Sequence, residues 1–174
     1  MATNSEERKQ FHSVYGTQRF RTNTIHEGSV EVDGKLTHLT QPVSGSGTTM
    51  TITETAHHGT TIFLPNTDEA TATHVIPAPK AGVHYHFVYV GSAADTNNHA
   101  FDITENGTFE GNITFLHEGN TDSIDVVNCD PANNDLLTAV TPAALDLHFV
   151  GKSSTVYQVY GSVTSAATPT CANG

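Results

Sequence analysis

The sequence predicts an all-β fold, a single β-sandwich or jelly-roll-like barrel with an extended N-terminal arm. Two observations predict this class. The chain is rich in Thr, Gly, Asn and Ser and poor in helix-favouring Lys, Arg, Leu and Glu. Short apolar or alternating runs also recur between turn residues from residue 48 onward. The 174 residues are enough for one domain with a packed core.

Residues 1–47 show no sustained period of 2 or 3.6 and end in the Gly- and Ser-rich joint QPVSGSGTT. We interpret them as an extended arm with one short hairpin around SVEVDGKLTHL, where Asp33-Gly34 is a turn dipeptide. The N-terminus lacks the apolar region of a signal peptide, and no run approaches the roughly 20 apolar residues that span a bilayer. We therefore expect synthesis in a host cytoplasm.

Residues 48–174 read as a β-rich domain. Its predicted strands lie in TMTITETA, TIFLPN, THVIPAP, VHYHFVYVG, HAFDITE, TFEGNITFLHEG, SIDVVNCD, LDLHFVGK and STVYQVYGSV. The Asn106-Gly107 dipeptide between FDITE and TFEG predicts a hairpin. DPANND at residues 130–135 predicts a longer polar loop. PAALDL suggests a helical turn, with Pro142 suited to its first position.

The charge is unevenly distributed. The net charge is −11, and residues 1–35 contain five basic and five acidic residues. The remainder of the chain has only Lys80 and Lys152 against thirteen carboxylates and therefore carries the whole −11. A body this acidic repels phosphate backbones and anionic lipids, so we expect neither a nucleic-acid nor a membrane partner.

The stretch VIPAPKAGVHYHFVYVGS at residues 75–92 contains two histidines that are one residue apart. In a strand, one face carries Val83, Tyr85, Phe87 and Tyr89, and the opposite face carries His84, His86, Val88 and Val90. We assign the aromatic face to the core and the second face to a possible subunit interface. By the same alternation in LDLHFVGK, we predict that the buried residues include Phe87, Tyr89, Leu147, Phe149 and Tyr157.

Two histidines at this spacing can bind one metal ion, as in cupin-type sites. Folding would have to supply a third ligand, from His74, His99, His117 or His148. Cupins follow their HxH motif with a glutamate about four residues later, whereas residues 89–91 here are Tyr, Val and Gly. We therefore expect no metal and no other cofactor, and favour a mixed face that packs on a second sheet or a subunit neighbour.

The sequence lacks the common motifs for catalysis and for zinc binding. GSGTT at residues 45–49 lacks the lysine of a phosphate-binding loop, and the chain contains no G-x-S-x-G, C-x-x-C or H-E-x-x-H. We expect no catalytic residues and no enzymatic activity. Cys129 and Cys171 are too few and too far apart for a zinc framework, and a reducing compartment disfavours a disulfide between them. We therefore expect them to be unbridged.

The order of the β motifs resembles a group of tailed-phage virion proteins, typically capsid decoration (cement) or head-fibre proteins. The resemblance covers residues 48–163 and rests on TITETAHHGTTIFLPN, THVIPAPKAGVHYHFVYVG, NHAFDI, EGNIT, DSIDVVN and LDLHFVGKSSTVYQVYGSV. In two places the sequence departs from the group. Tyr157 replaces the tryptophan of the closing hairpin, and His84 replaces a small or basic residue.

The resemblance implies a structural virion protein on the outer surface of a phage capsid. Its partners would be the major capsid protein and itself, as a homotrimer at three-fold or quasi-three-fold positions, where it cements or decorates the shell. In the arm, basic and apolar side chains interleave as in a docking peptide, and we predict capsid binding by Arg8, Lys9, Phe11, Val14, Tyr15, Arg19, Phe20 and Arg21. Two alternatives are a trimeric fibre or spike module that binds a host receptor or glycan, and a cupin-like metal enzyme.

Overall fold

The computed structural model describes residues 43–45, 49–103, 105–119, 123–132 and 134–174. Within these ranges the chain is nearly all β, and its single helical turn is α1 (Glu54–His57). The strands are β1 (Val43–Ser44), β2 (Met50–Thr51), β3 (Thr61–Leu64), β4 (Thr71–Ile76), β5 (His84–Tyr89), β6 (Asn98–Ile103), β7 (Thr108–His117), β8 (Ile124–Cys129), β9 (Leu136–Ala139), β10 (Pro142–Gly151), β11 (Val156–Ser165) and β12 (Thr170–Ala172). The predicted all-β class is confirmed.

Two mixed sheets pack together as a β-sandwich. The large sheet has the strand order β1-β3-β5-β10-β11-β7-β8, and the small sheet has the order β12-β9-β6-β4-β2. In the large sheet β5 lies between β3, which is parallel to it, and β10, which is antiparallel. The register places His86 opposite His148 and Phe87 opposite Leu147.

The core lies between the inner faces of the two sheets. In β5, and in β10 from Leu145 onward, the odd-numbered residues are buried and the even-numbered residues are partly or fully exposed, as the alternation predicted. All five residues predicted to be buried have at most 8% of their surface exposed. The largest fully buried side chains come from both sheets and include Tyr85, Phe87, Phe101, Phe109, Phe115, Phe149 and Tyr157. A single apolar layer therefore holds the sandwich together.

The helical turn occurs where a strand was predicted. TMTITETA contains the two-residue strand β2 and then α1, because the Thr53 side chain caps the helix by accepting a hydrogen bond from the Ala56 N–H at 3.4 Å. Glu54 in the first turn adds favourable charge at the helix N-terminus. Thr53 followed by Glu54 is a signal for the start of a helix. It ends the strand that the alternation in TMTITETA predicted after only two residues.

The helical turn predicted at PAALDL is wrong, because the segment begins strand β10. Proline is tolerated at the first residue of a strand, since no ladder hydrogen bond has to come from its nitrogen. The register against β11 shifts between Pro142 and Ala144, which marks a β-bulge at the strand entrance. The bulge absorbs the irregular start, and regular alternation follows from Leu145 onward.

The hairpin predicted at Asn106-Gly107 is also wrong. β6 belongs to the small sheet and β7 to the large sheet, so this dipeptide carries the chain from one sheet to the other. Gly107 does not have the positive φ that a tight hairpin turn requires. A Cβ atom there would lie 2.5 Å from Pro79 Cδ and 2.9 Å from Ile103 Cγ2, so glycine permits close packing of the connection.

A disulfide joins Cys129 and Cys171, which corrects the expectation that they are unbridged. Cys129 ends β8 and Cys171 lies in β12, and these are edge strands of the large and small sheets. The Cα atoms are 5.3 Å apart although 42 residues separate the cysteines in sequence. Packing of the two sheets brings these edges together. The distance between the cysteines therefore cannot be predicted from their separation in sequence.

The predicted capsid-binding residues of the arm and the hairpin at Asp33-Gly34 lie outside the described residues. Val43–Ser44, within the range predicted as arm, pairs in parallel with Ile62 and Phe63 of β3. No helix in the described part of the chain is long and apolar enough to cross a membrane.

Candidate functional site

The face of β5 that was predicted as a subunit interface lies on the side of the large sheet that points away from the core. His84, His86 and Val88 point away from the core, and the register places Val150, His148 and Asp146 opposite them on β10. On the far side of β10, Tyr160 of β11 lies opposite His148. Side chains on directly opposed residues of neighbouring strands share a face, so the sheet aligns three aromatic rings in one row.

Those three rings form a continuous stack. The ring centroids of His86 and His148 are 4.0 Å apart, and those of His148 and Tyr160 are 4.9 Å apart. The interplanar angle is 7° in both pairs. We call His86, His148 and Tyr160 the ring stack. Side chains that already pack on one another lose less conformational entropy when a partner binds.

Asp146 joins the two histidines of the ring stack. Its Oδ1 lies 2.9 Å from His86 Nε2 and 3.4 Å from His148 Nε2. On the other side of the His86 ring, Nδ1 lies 3.1 Å from Thr61 Oγ1 of β3. Burial lowers the pKa of His148, the neighbouring His86 lowers it further, and Asp146 opposes both effects. His86, Asp146 and His148 can supply a metal ion with two imidazole nitrogens and one carboxylate oxygen, all within 4.8 Å of one another.

Exposed apolar side chains also lie on this face, on the edge strand β8 and just after β5, with β7 between β8 and Tyr160. Ile124 and Val126 of β8 are 64% and 66% exposed, Tyr160 is 47% exposed, and Val90 after β5 is 51% exposed. An exposed apolar side chain on its own is ordinary, but several on one sheet face mark an interaction surface. We call this surface the outer face.

A polar groove adjoins Tyr160 on this face. It has a volume of about 590 Å³, and its lining includes Glu110, Asn112, Asn128, Asp130 and Gln158. Asn112 stands opposite Tyr160 on the neighbouring strand, which places the groove beside an exposed aromatic ring. Lys152 Nζ contacts Glu110 Oε2 at 2.7 Å and neutralises one carboxylate at the rim. Amide and carboxylate groups next to an aromatic surface can bind hydroxyl-rich ligands.

A second histidine group lies inside the sandwich. His99 Nε2 is 3.2 Å from Asp95 Oδ2, and His99 Nδ1 is 3.0 Å from His74 Nε2. Both histidines are fully buried, and Asp95 also accepts a hydrogen bond from the Thr67 N–H at 2.9 Å. We call Asp95, His99 and His74 the buried relay.

Protonation of the buried relay is constrained by its hydrogen bonds. The assignment that satisfies both contacts has His99 donating from Nε2 to Asp95 and His74 donating from Nε2 to His99 Nδ1. His74 Nδ1 then needs no proton, in keeping with its lack of a hydrogen-bond partner among the described residues. Burial lowers the pKa of His74 from 6.5 to about 3, with a further contribution from His99. Burial also lowers the pKa of His99, against the opposing effect of Asp95.

Folding brings together only part of what the sequence predicted. Of the four possible third ligands, only His148 lies beside His86 in the described residues; His74 and His99 are in the core, and His117 pairs with Asp125 at 3.1 Å. The HxH pair, weighed from the sequence and not favoured, does not act together here: the cluster contains His86 and, from the neighbouring strand, His148, but not His84. Asp146 was not predicted. The alternation of LDLHF already placed it on the face of His148, but the pairing with β5 requires the register.

No known family model, characterised protein or solved structure matches this chain.

Proposed function

We propose that this chain is a structural virion protein that binds the outer surface of a tailed-phage capsid and cements or decorates it without turning over a substrate. The motif resemblance suggests the class. The observation that carries the proposal is the outer face, which carries both the ring stack and the exposed apolar side chains of Val90, Ile124 and Val126. Aromatic and apolar residues at the centre of a flat surface are what protein interfaces use.

We infer that the protein assembles as a homotrimer with the outer face at or near the subunit contacts. Burial of Val126 and Tyr160 against a neighbouring subunit would remove apolar surface from water and favour association. Light scattering at micromolar concentration should therefore give three times the mass of one chain. Val126→Lys should shift the protein towards monomers. Thr71→Lys, at an exposed position of the small sheet, is the matched control and should leave the mass unchanged.

A monodisperse monomer, both free and after release from particles, would contradict the assembly proposal. If Val126→Lys and wild type were both trimers of equal mass, the subunit contact would have to lie on another face of the protein.

For attachment to the shell we propose the N-terminal arm, with the acidic body as a spacer and cement. The arm combines Arg8, Lys9, Arg19 and Arg21 with apolar residues, whereas the rest of the chain carries the net charge of −11. Exposed ion pairs contribute only about 0.2–1 kcal/mol each, so the apolar anchors should dominate and added salt should weaken binding modestly. Deletion of residues 1–35 should leave a folded trimer that no longer binds undecorated capsids.

Sedimentation of the protein with undecorated capsids measures this attachment. If the truncated chain co-sediments as fully as the intact chain, the body and not the arm carries the capsid interface.

A second candidate function, a fibre or spike module that binds a host glycan, is favoured by the polar groove beside Tyr160. Asn112 and Gln158 would donate and accept hydrogen bonds with sugar hydroxyls while the tyrosine ring packs on the sugar. Binding of the purified protein to host cells, reduced by Gln158→Ala and unchanged by Thr71→Lys, would favour this function over cementing. If the purified protein does not bind host cells, the glycan-binding function is excluded.

A further inference from the structure

We propose that His86, Asp146 and His148 bind one divalent transition-metal ion, Zn²⁺ in particular, on the outer face. The proposal goes beyond the capsid function and does not depend on it. Two imidazole nitrogens and one carboxylate oxygen form a donor set that zinc uses in sites with an open coordination position. Calcium and magnesium prefer ligand sets made of oxygen, which this cluster does not offer.

The distances are compatible with a shared ion. Tetrahedral zinc with bonds of about 2.0–2.2 Å places its ligand atoms about 3.3–3.6 Å apart. The separations from Asp146 Oδ1 to the two Nε2 atoms are 2.9 and 3.4 Å. The backbone already fixes these positions, because His86 and His148 are directly opposed and Asp146 is two residues from His148 on the same strand. Metal binding therefore needs no backbone movement.

Thr61 supports the site through the other nitrogen of His86. When Nε2 binds a metal, the ring proton moves to Nδ1, and the Thr61 hydroxyl at 3.1 Å accepts it. Without metal, the same hydroxyl donates to an unprotonated Nδ1, since a hydroxyl can act either way. The contact thus orients His86 in both states, as partners of metal-binding histidines commonly do.

One rearrangement is required. The two imidazole rings are nearly parallel, so their Nε2 lone pairs do not converge, and the His148 ring has to turn about χ2 towards the ion while the Thr61 contact holds His86. Turning His148 also separates it from Tyr160, on which it stacks. Zinc binding should therefore change the environment of the Tyr160 ring. The open coordination positions face outward, where water or a side chain of a partner can complete the shell.

The test is a zinc titration of the full chain by calorimetry after treatment with a chelator. Because the chain contains eleven histidines, the decisive quantity is the change in affinity between matched variants. Asp146→Asn and His148→Gln should each weaken the strongest zinc site by at least about tenfold, and Thr61→Val by about tenfold to a hundredfold. His117→Gln, which removes a histidine from a two-residue pair with Asp125, should leave the affinity unchanged.

Two measurements keep the result interpretable. Thermal unfolding of each variant shows whether it is folded, and the ring protons of Tyr160 in wild-type protein should shift on addition of Zn²⁺ and reverse with chelator. Wild-type affinity in both Asp146→Asn and His148→Gln would overturn the proposal. So would an equal loss in His117→Gln, or an unchanged Tyr160 signal at saturating zinc.

Discussion

Replacing His74 with glutamine should make the stability of the protein less sensitive to acid. The neutral ring of His74 is fully buried between Phe87 and Phe101, with centroid distances of 6.3 and 5.2 Å. Glutamine does not titrate, and its side-chain N–H₂ group can replace His74 Nε2 as the donor to His99 Nδ1. The substitution therefore removes the titration and keeps the hydrogen bond of the buried relay.

The expected size follows from proton linkage. Burial in the fold lowers the pKa of His74 from its ordinary value of 6.5 to about 3. A depressed histidine pKa means that the unfolded chain binds the proton first as the pH falls below 6.5, so stability is lost from there down to about pH 3. Each pH unit in this window costs about 1.4 kcal/mol, and going from pH 7 to pH 5 removes about 2 kcal/mol through His74 alone.

Urea titrations at pH 7 and pH 5 measure the effect for wild type and His74→Gln. The loss between the two pH values should be about 2 kcal/mol smaller in His74→Gln than in wild type. Comparing differences cancels the contribution of titrating groups that do not contact His74. If wild type and His74→Gln lose the same free energy within about 0.5 kcal/mol, the ring is not held neutral by the fold.

Two other stability predictions concern the core and the disulfide. Phe149→Ala should lower the free energy of unfolding by about 3–5 kcal/mol in denaturant titration, because its buried ring packs on three others. Thr71→Lys, on the exposed side of β4, is the control, and a loss below about 1 kcal/mol at Phe149 would show a wrong face assignment. Cys171→Ser should lower the free energy of unfolding by about 4 kcal/mol, from the entropy of a 42-residue loop. Thiol titration of the denatured, unreduced protein should find no free thiol in wild type, and two thiols per chain would refute the bridge.

The strand faces were predictable from the sequence because their cause is local. Alternation of aromatic and polar residues in VHYHFVYV and LDLHFV reflects which side of a pleated strand meets the core, and the buried side contains Tyr85, Phe87, Leu147 and Phe149. The short strands β9 and β12 were missed because three or four residues give too little alternation to recognise.

Features that depend on strand pairing were not predictable in the same way. Asn106-Gly107 resembles a hairpin turn locally, but the partners of β6 and β7 are distant strands in different sheets. The same holds for the candidate site, since His86 and Asp146 are 60 residues apart in sequence and meet only through the pairing of β5 with β10. The sequence separation of Cys129 and Cys171 and a reducing compartment predict free thiols. Their proximity instead depends on the packing of two sheet edges, which brings them into a disulfide.

The bridge between the sheet edges also limits how far the chain can be stretched. Pulling on the two ends of an unfolded molecule extends only the residues outside the 42-residue loop that Cys129 and Cys171 close. At roughly 3.3–3.6 Å per residue, the intact bridge withholds about 140–150 Å of contour length. Single-molecule force spectroscopy should show that the unfolded chain becomes longer by this amount when the disulfide is reduced. Under tension, the oxidised protein therefore has the smaller maximum extension.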